Sequence, residues 1–244
     1  MLETTTKEGE RDDDSGYPGV NTMAGVLERP LLETPYAVLD VETTGLSAGL
    51  DRIVEIAVAR VEPDKDPQIV LDTLINPERL VSATWIHGIT DADVADAPTF
   101  PEIVPLLLRA LEGCVVSAYN IYFDARFLEF ELSRAGVLNS PPQLCLMYLR
   151  PLLGLGRACS LGEACRFHGI PYRPLHTSAA DTLAASLLLK AYQLEFADQN
   201  LYTFEDLARG KRYKFLRTLE HEPLTLFDGS STHTLSALLK PRKR

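Results

Sequence analysis

The chain has 244 residues, 45% of them hydrophobic, and a formal net charge of −10, enough to bury one substantial core with sequence left over for tails or a small appendage. No apolar run approaches the roughly 20 residues that span a bilayer, and the amino-terminal stretch is acidic and polar rather than basic and then apolar; these features argue against a membrane or exported protein and predict a cytoplasmic one. Cys114, Cys145, Cys159 and Cys165 never occur as CxxC, so reduced structural thiols are expected.

Residues 1–35, which hold eight acids and three bases, read as a disordered acidic segment. Tyr36 to Val41 is a short, almost wholly apolar run, the pattern of a central strand covered on both faces. Ile53 to Val61 and Gln68 to Ile75 are two further β-rich runs, with turn signals between them that predict an antiparallel meander. The pattern then changes to α/β alternation. Phe100 to Leu111 reads as a helix, Cys114 to Ala118 as a strand, and Phe123, Phe127 and Phe130 recur at helical spacing. Leu144 to Leu149 reads as a strand and Ser160 to Phe167 as a short helix. Ser178 to Tyr192 reads as a long helix with Leu183, Leu187 and Ala191 on its apolar stripe. A basic helix is expected from Phe204 to Leu219, followed by a polar tail. Three meandering strands followed by α/β units imply one mixed sheet with helices on both faces.

Charge divides along the chain. Residues 1–35 carry −5 and residues 208–244 carry +6, which leaves −11 for the middle. The basic segment of Arg209, Lys211, Arg212, Lys214 and Arg217 is suited to phosphates, and the acidic middle to cations.

Several of the central acids have a pattern of their own. Asp40 and Glu42 lie two apart at the end of an apolar strand, so strand alternation puts both carboxylates on one face. Two acids at such a place repel each other and lose hydration, which calls for a positive partner. Asn120-Ile121-Tyr122-Phe123-Asp124 places Asp124 at a strand-to-helix junction, where open α/β sheets gather their sites. His176 and Asp181 are five apart. On one regular helix they would point away from each other, so His176 is expected in the loop after Pro174 and Asp181 in the first turns of the helix.

Together these elements resemble the three motifs of the DEDDh, or DnaQ-like, exonuclease family, in the family's order and over roughly Tyr36 to Tyr192. Asp40-Val41-Glu42-Thr43-Thr44-Gly45 is close to its first motif, and His87-Gly88-Ile89-Thr90 is similar to the loop that lies near the primer 3′ end in proofreading subunits. Tyr119 departs from the His that precedes the Asn in many relatives. Thr177 stands where some relatives have a Tyr, so the histidine subclass is the one matched.

The resemblance implies an RNase H-like mixed five-stranded sheet for residues 36–195, with a basic extension, part helical and part flexible, over 196–244. It implies a metal-dependent 3′→5′ exonuclease that releases nucleoside monophosphates from DNA 3′ ends, in proofreading or repair. Its ions would be two Mg²⁺, with Mn²⁺ as a substitute, held by Asp40, Glu42, Asp124 and Asp181; such ions stabilise the attacking and leaving oxygens of an in-line displacement. His176 would be the general base. Thr43, Thr44, Gly45, His87, Gly88, Ile89, Asn120 and Phe123 would contact the substrate. The alternatives are an RNA-trimming exonuclease of the same superfamily and a non-catalytic replisome adaptor. Expected partners are single-stranded DNA ends, a separate polymerase subunit, and a sliding clamp, the last because Leu224 to Phe227 resembles clamp-binding peptides with Pro223 in place of their leading Gln.

Overall fold

The computed structural model describes residues 25–138, 140–173, 177–209 and 213–224. Its centre is a five-stranded mixed sheet, β1 (Tyr36–Thr43), β2 (Ile53–Val61), β3 (Gln68–Leu74), β4 (Val115–Ala118) and β5 (Gln143–Cys145), in the order β3-β2-β1-β4-β5. The first three strands pair antiparallel, while β1 with β4 and β4 with β5 are parallel. This is the expected meander followed by α/β units. Every residue of β1 is buried except Asp40 and Glu42, which are half-buried. A strand dry on both sides needs helices over both faces of the sheet, and its two acids stand out against that background.

Short helices α1 (Thr84–His87) and α2 (Asp91–Val94) follow β3 and lead to α3 (Phe100–Leu111). Thr90 and Thr99 open α2 and α3 with capping boxes to Asp93 and Glu102, which satisfy amide groups that a helix start leaves bare. α4 (Ile121–Arg134) connects β4 to β5, and α5 (Leu146–Leu152), α6 (Leu161–Phe167) and α7 (Ser178–Asp198) complete the domain. The guanidinium of Arg52, beside the start of β2, forms a two-pronged ion pair with buried Glu131 of α4, one prong at 2.9 Å. That pair fixes α4 against the strands.

Four local expectations differ from the structure. The apolar run from Leu144 to Leu149 is strand only as far as Cys145 and helix from Leu146; a short apolar run has no period by which to separate the two. In α7, Leu183 and Leu187 are 41% and 36% exposed, while Thr182, Ala185, Ser186 and Leu189 are buried. Ala57 and Ala59 of β2 share their face with Asp40 and Val38 of β1, and small residues on both sides let α7 approach until the Thr182 hydroxyl donates to the Ala57 carbonyl at 3.4 Å. Close approach, not side-chain size, chose the inner stripe.

The expected basic helix is instead two short ones, α8 (Phe204–Ala208) and α9 (Phe215–Thr218), on either side of residues 210–212, which lie outside the described residues. Nor do the domain limits at 36 and 195 bound the core. Val26 and Leu31 belong to it, as do Phe204, Leu207, Phe215, Leu216, Leu219 and Leu224. The two ends of the described chain hold each other: the Val26 amide donates to the Leu219 carbonyl and the Leu31 amide to the Tyr202 carbonyl. Gly25 has the backbone of Glu220 where a β-carbon would sit, 2.5 Å from its carbonyl oxygen, so only glycine allows this approach.

Leu224 lies buried against the domain, and its carbonyl accepts the Gly113 amide at 2.8 Å. It is therefore not available as an anchor for a clamp. Leu226 and Phe227 lie outside the described residues. Among the described residues no helix is long and apolar enough to cross a membrane.

Candidate active site

The parallel ladder between β1 and β4 stops at Val38 and Ser117, and beyond it the two strands part. In the opening, the Val41 amide donates to the carboxylate of Asp124, 3.3 Å away. Asp124 sits in the first turn of α4 and is buried. Its place in the molecule thus follows from β1 having lost its neighbour.

Asp40 is paired with Ala57, and Glu42 with Glu55 of β2. Asp181, in the first turn of α7, is half-buried and accepts a hydrogen bond from the Tyr172 hydroxyl at 2.8 Å. Burial is the largest cause that raises the Asp40 carboxyl well above the ordinary carboxylate range, and the next are the charges of Asp124, Asp181, Glu42 and Glu55. Burial also raises Asp124 to about 7, against the opposing effect of backbone amides that include Val41. The four predicted acids therefore meet in one electrostatic neighbourhood, reached from β1, α4 and α7.

The charges that bear most on Asp40 are all carboxylates, and the donors are all hard oxygens of the kind Mg²⁺ takes. In chemical type the set fits divalent cations. Among the described residues no three His, Cys, Asp or Glu side chains are grouped closely enough to ligate one ion as they stand. His176 lies outside the described residues. The helix start that follows it is anchored: Thr177 caps α7 by accepting the Ala180 amide, and the Ser178 amide donates to the carboxylate of buried Glu55 at 3.0 Å.

Glu55 and Tyr172 were not among the residues singled out by sequence. The signal for Glu55 was available, because it is the one acid inside the apolar run from Ile53 to Val61. Tyr172 had no such signal, since its hydroxyl reaches Asp181 only through the path of the loop before α7.

The remaining expected contacts divide into two groups. Thr43 donates to the Gly45 carbonyl at 2.6 Å, and Thr44 donates to Asp51 at 3.1 Å while accepting the Arg52 amide. The Asp51 carboxylate fills the space a β-carbon of Gly45 would need. His87 is buried; its Nδ1 accepts the Ile89 amide at 3.0 Å, so its Nε2 carries the proton and donates to the Thr43 carbonyl at 3.2 Å. Gly88 closes α1 in the left-handed region at φ 71°, where glycine is the least strained residue. Buried His87, Thr44 and Ile89 thus brace the turn after β1. Asn120 and Phe123 behave otherwise. Both are half-buried and line an open groove beside Asp124's helix. Tyr119 turns its hydroxyl to the Cys159 carbonyl at 2.6 Å.

Residues 37–189 match the model of the RNase T exonuclease family. A DNA polymerase III subunit epsilon-like protein of Rhodobacter capsulatus is 36% identical over 170 residues, covering 67% of this chain. The chain spans 24% of that relative's own length. Exonuclease X, solved in complex with 5′ overhanging duplex DNA, is similar with a TM-score of 0.50 at 27% identity over 68% of this chain and 93% of its own. E. coli Exonuclease I, solved with a dT13 oligonucleotide, gives a TM-score of 0.56 at 18% identity over 69% of this chain and 43% of its own, a likeness of fold. The family match takes in the strand and both helices that carry the four acids, and the chain belongs to the DnaQ-like exonucleases.

Proposed function

We propose that this protein is a metal-dependent 3′→5′ exonuclease of the histidine subclass, which shortens DNA 3′ ends one nucleoside monophosphate at a time. The observation that carries the reading is the convergence of Asp40, Glu42, Asp124 and Asp181, with Asp40 surrounded by carboxylates. Such a set is unfavourable unless cations compensate it, and a fold has little reason to gather four acids for packing alone. Asp40, Glu42, Asp124 and Asp181 would hold two Mg²⁺ ions, which when bound supply charge stabilisation for an in-line phosphoryl displacement.

The chain's own residues do the rest. Tyr172 orients the Asp181 carboxylate through its hydroxyl. Glu55, by holding the Ser178 amide, fixes the start of α7. His176 takes the proton from the attacking water, a task suited to a group that titrates near neutrality. The DNA preference is supported by the DNA bound to Exonuclease X and by the polymerase naming of the Rhodobacter relative. Proofreading beside a separate polymerase subunit and trimming in repair both use this chemistry.

The test is hydrolysis of 5′-labelled single-stranded DNA and RNA by the full chain, in Mg²⁺, Mn²⁺ or excess EDTA. Stepwise shortening of DNA from the 3′ end is expected in either metal, and none in EDTA or with Asp181→Ala. His176→Ala is expected to lower kcat by about 10²- to 10⁴-fold with DNA affinity unchanged. Preferential shortening of RNA would reassign the substrate. Tight binding without hydrolysis of either polymer would make the chain an adaptor.

A further inference from the structure

The basic segment and the second acidic motif, far apart in sequence, line one groove. Its volume is about 760 Å³, and its walls include Asn120, Phe123 and Arg126 of α4 with its cap, Tyr148 of α5, and Tyr213 and Lys214 before α9. Asn120 caps the helix whose first turn carries Asp124, so one end of the groove lies at the helix start that bears one of the four acids. Arg126 and Lys214 are exposed, and the aromatic walls are half-buried.

The far wall is a built surface rather than a loose tail. Tyr148 and Tyr213 pack with ring centroids 4.9 Å apart, and Tyr213 stacks on Phe215 at 6.0 Å with an interplanar angle of 10°. The Phe215 amide donates to the Tyr122 hydroxyl at 3.3 Å, tying the extension to α4. On the near wall the Arg126 guanidinium lies 6.0 Å from the Phe123 ring centroid. Among the described residues Glu129 is the one acid that lines the groove, and it accepts hydrogen bonds from Gln143 at 2.8 Å and Ser140 at 2.7 Å.

We infer that this groove holds the single-stranded DNA on the 5′ side of the scissile bond, with bases against Phe123, Tyr148 and Tyr213 and phosphates against Arg126 and Lys214. Cations that follow a backbone, interleaved with aromatic faces that accept any base, are the means by which proteins hold single strands without reading sequence. The groove also answers an electrostatic problem. An acidic centre repels the strand it must cut, and the exposed cations Arg126 and Lys214 of the groove offset that repulsion. The C-terminal extension thereby becomes one wall of the substrate path. The inference rests on the exonuclease reading and adds to it the course of the strand.

The experiment measures binding of 5′-fluorescein dT3 and dT12 by anisotropy with Ca²⁺ replacing Mg²⁺, across a salt series, alongside Mg²⁺-dependent hydrolysis of dT12. Wild-type protein is expected to bind dT12 more tightly than dT3. The double variant Arg126→Ala, Lys214→Ala is expected to flatten that length dependence and to reduce the salt slope by about 1.4, or about 0.7 per phosphate contact. Tyr213→Ala is expected to weaken dT12 by about 10-fold, within the range of one stacked base. Tyr213→Phe, which keeps the ring, is expected to restore most of it. Circular dichroism and Tm of each variant check that α9 is still in place. Length dependence and salt slope equal to wild type in the double variant would overturn the groove. Failure of wild-type protein to hydrolyse dT12, with groove-dependent binding intact, would overturn the exonuclease reading and leave the groove.

Discussion

A chain truncated after Gln199 is expected not to fold. The truncation deletes Phe204, Leu207, Phe215, Leu216, Leu219 and Leu224, each at most 7% exposed. It also strips the partners from Val26 and Leu31, whose amides lose the Leu219 and Tyr202 carbonyls. Burying one such side chain is worth about 1.5–3 kcal/mol, so six of them contribute about 9–18 kcal/mol as an upper bound. A domain's whole net stability is about 5–15 kcal/mol. By contrast, removal of residues 225–244 deletes none of the described core and is expected to leave Tm within about 2 °C, a change of no more than about 1 kcal/mol in a domain of this size. Near-ultraviolet circular dichroism and thermal melts of the two truncations decide the matter. A cooperative melt within about 5 °C of wild type for the shorter chain would show that the extension is an appendage after all. The basic segment's phosphate contacts are therefore tested by substitutions in the full chain, because removing the segment removes core.

The extension looked detachable because its apolar residues are sparse and two short helices leave no long period to read. What binds it is tertiary: the close approach of Gly25 to Glu220, the Tyr122 hydroxyl, and the stacked rings of Tyr148, Tyr213 and Phe215. The acids were far more legible. Strand alternation put Asp40 and Glu42 on one face, and the strand-to-helix junction located Asp124, since both are local rules with short reach. His87-Gly88-Ile89-Thr90 is legible as a motif, but the contact of His87 with the Thr43 carbonyl, next to the left-handed Gly88, is tertiary and has no local signal. In α7 the leucine spacing points to the wrong stripe, because contact with Ala57 and Ala59 favours small side chains on the inner face. Glu55 shows the reverse. An acid within a buried strand breaks the local pattern, and such breaks concentrate at sites.

Asp124→Asn is expected to abolish hydrolysis while raising the stability of the metal-free protein at pH 8. The direction follows from linkage. Burial lifts the Asp124 carboxyl to about 7, above the ordinary carboxylate value of about 4. The folded protein therefore binds a proton that the unfolded chain has already released, and stability falls as pH rises between those two values. Below about 4 the penalty is absent, because both states are protonated; above about 7 it is complete, because the folded state must hold a buried charge beside Asp40. Asparagine removes the charge yet keeps an oxygen that can accept the Val41 amide, so the local geometry survives. In a domain of this size about 1 kcal/mol moves Tm by roughly 2–4 °C, and a gain of about 5 °C or more is expected at pH 8 in EDTA, shrinking towards zero near pH 4. Added Mg²⁺ should raise the wild-type Tm at pH 8 by mass action and raise that of Asp124→Asn less. Thermal melts of both proteins over pH 4–8, with and without Mg²⁺, measure all of these. A variant less stable than wild type at pH 8 in EDTA would mean that the Asp124 carboxylate is held there for the fold. A gain that does not change with pH would mean that its charge is not what opposes folding.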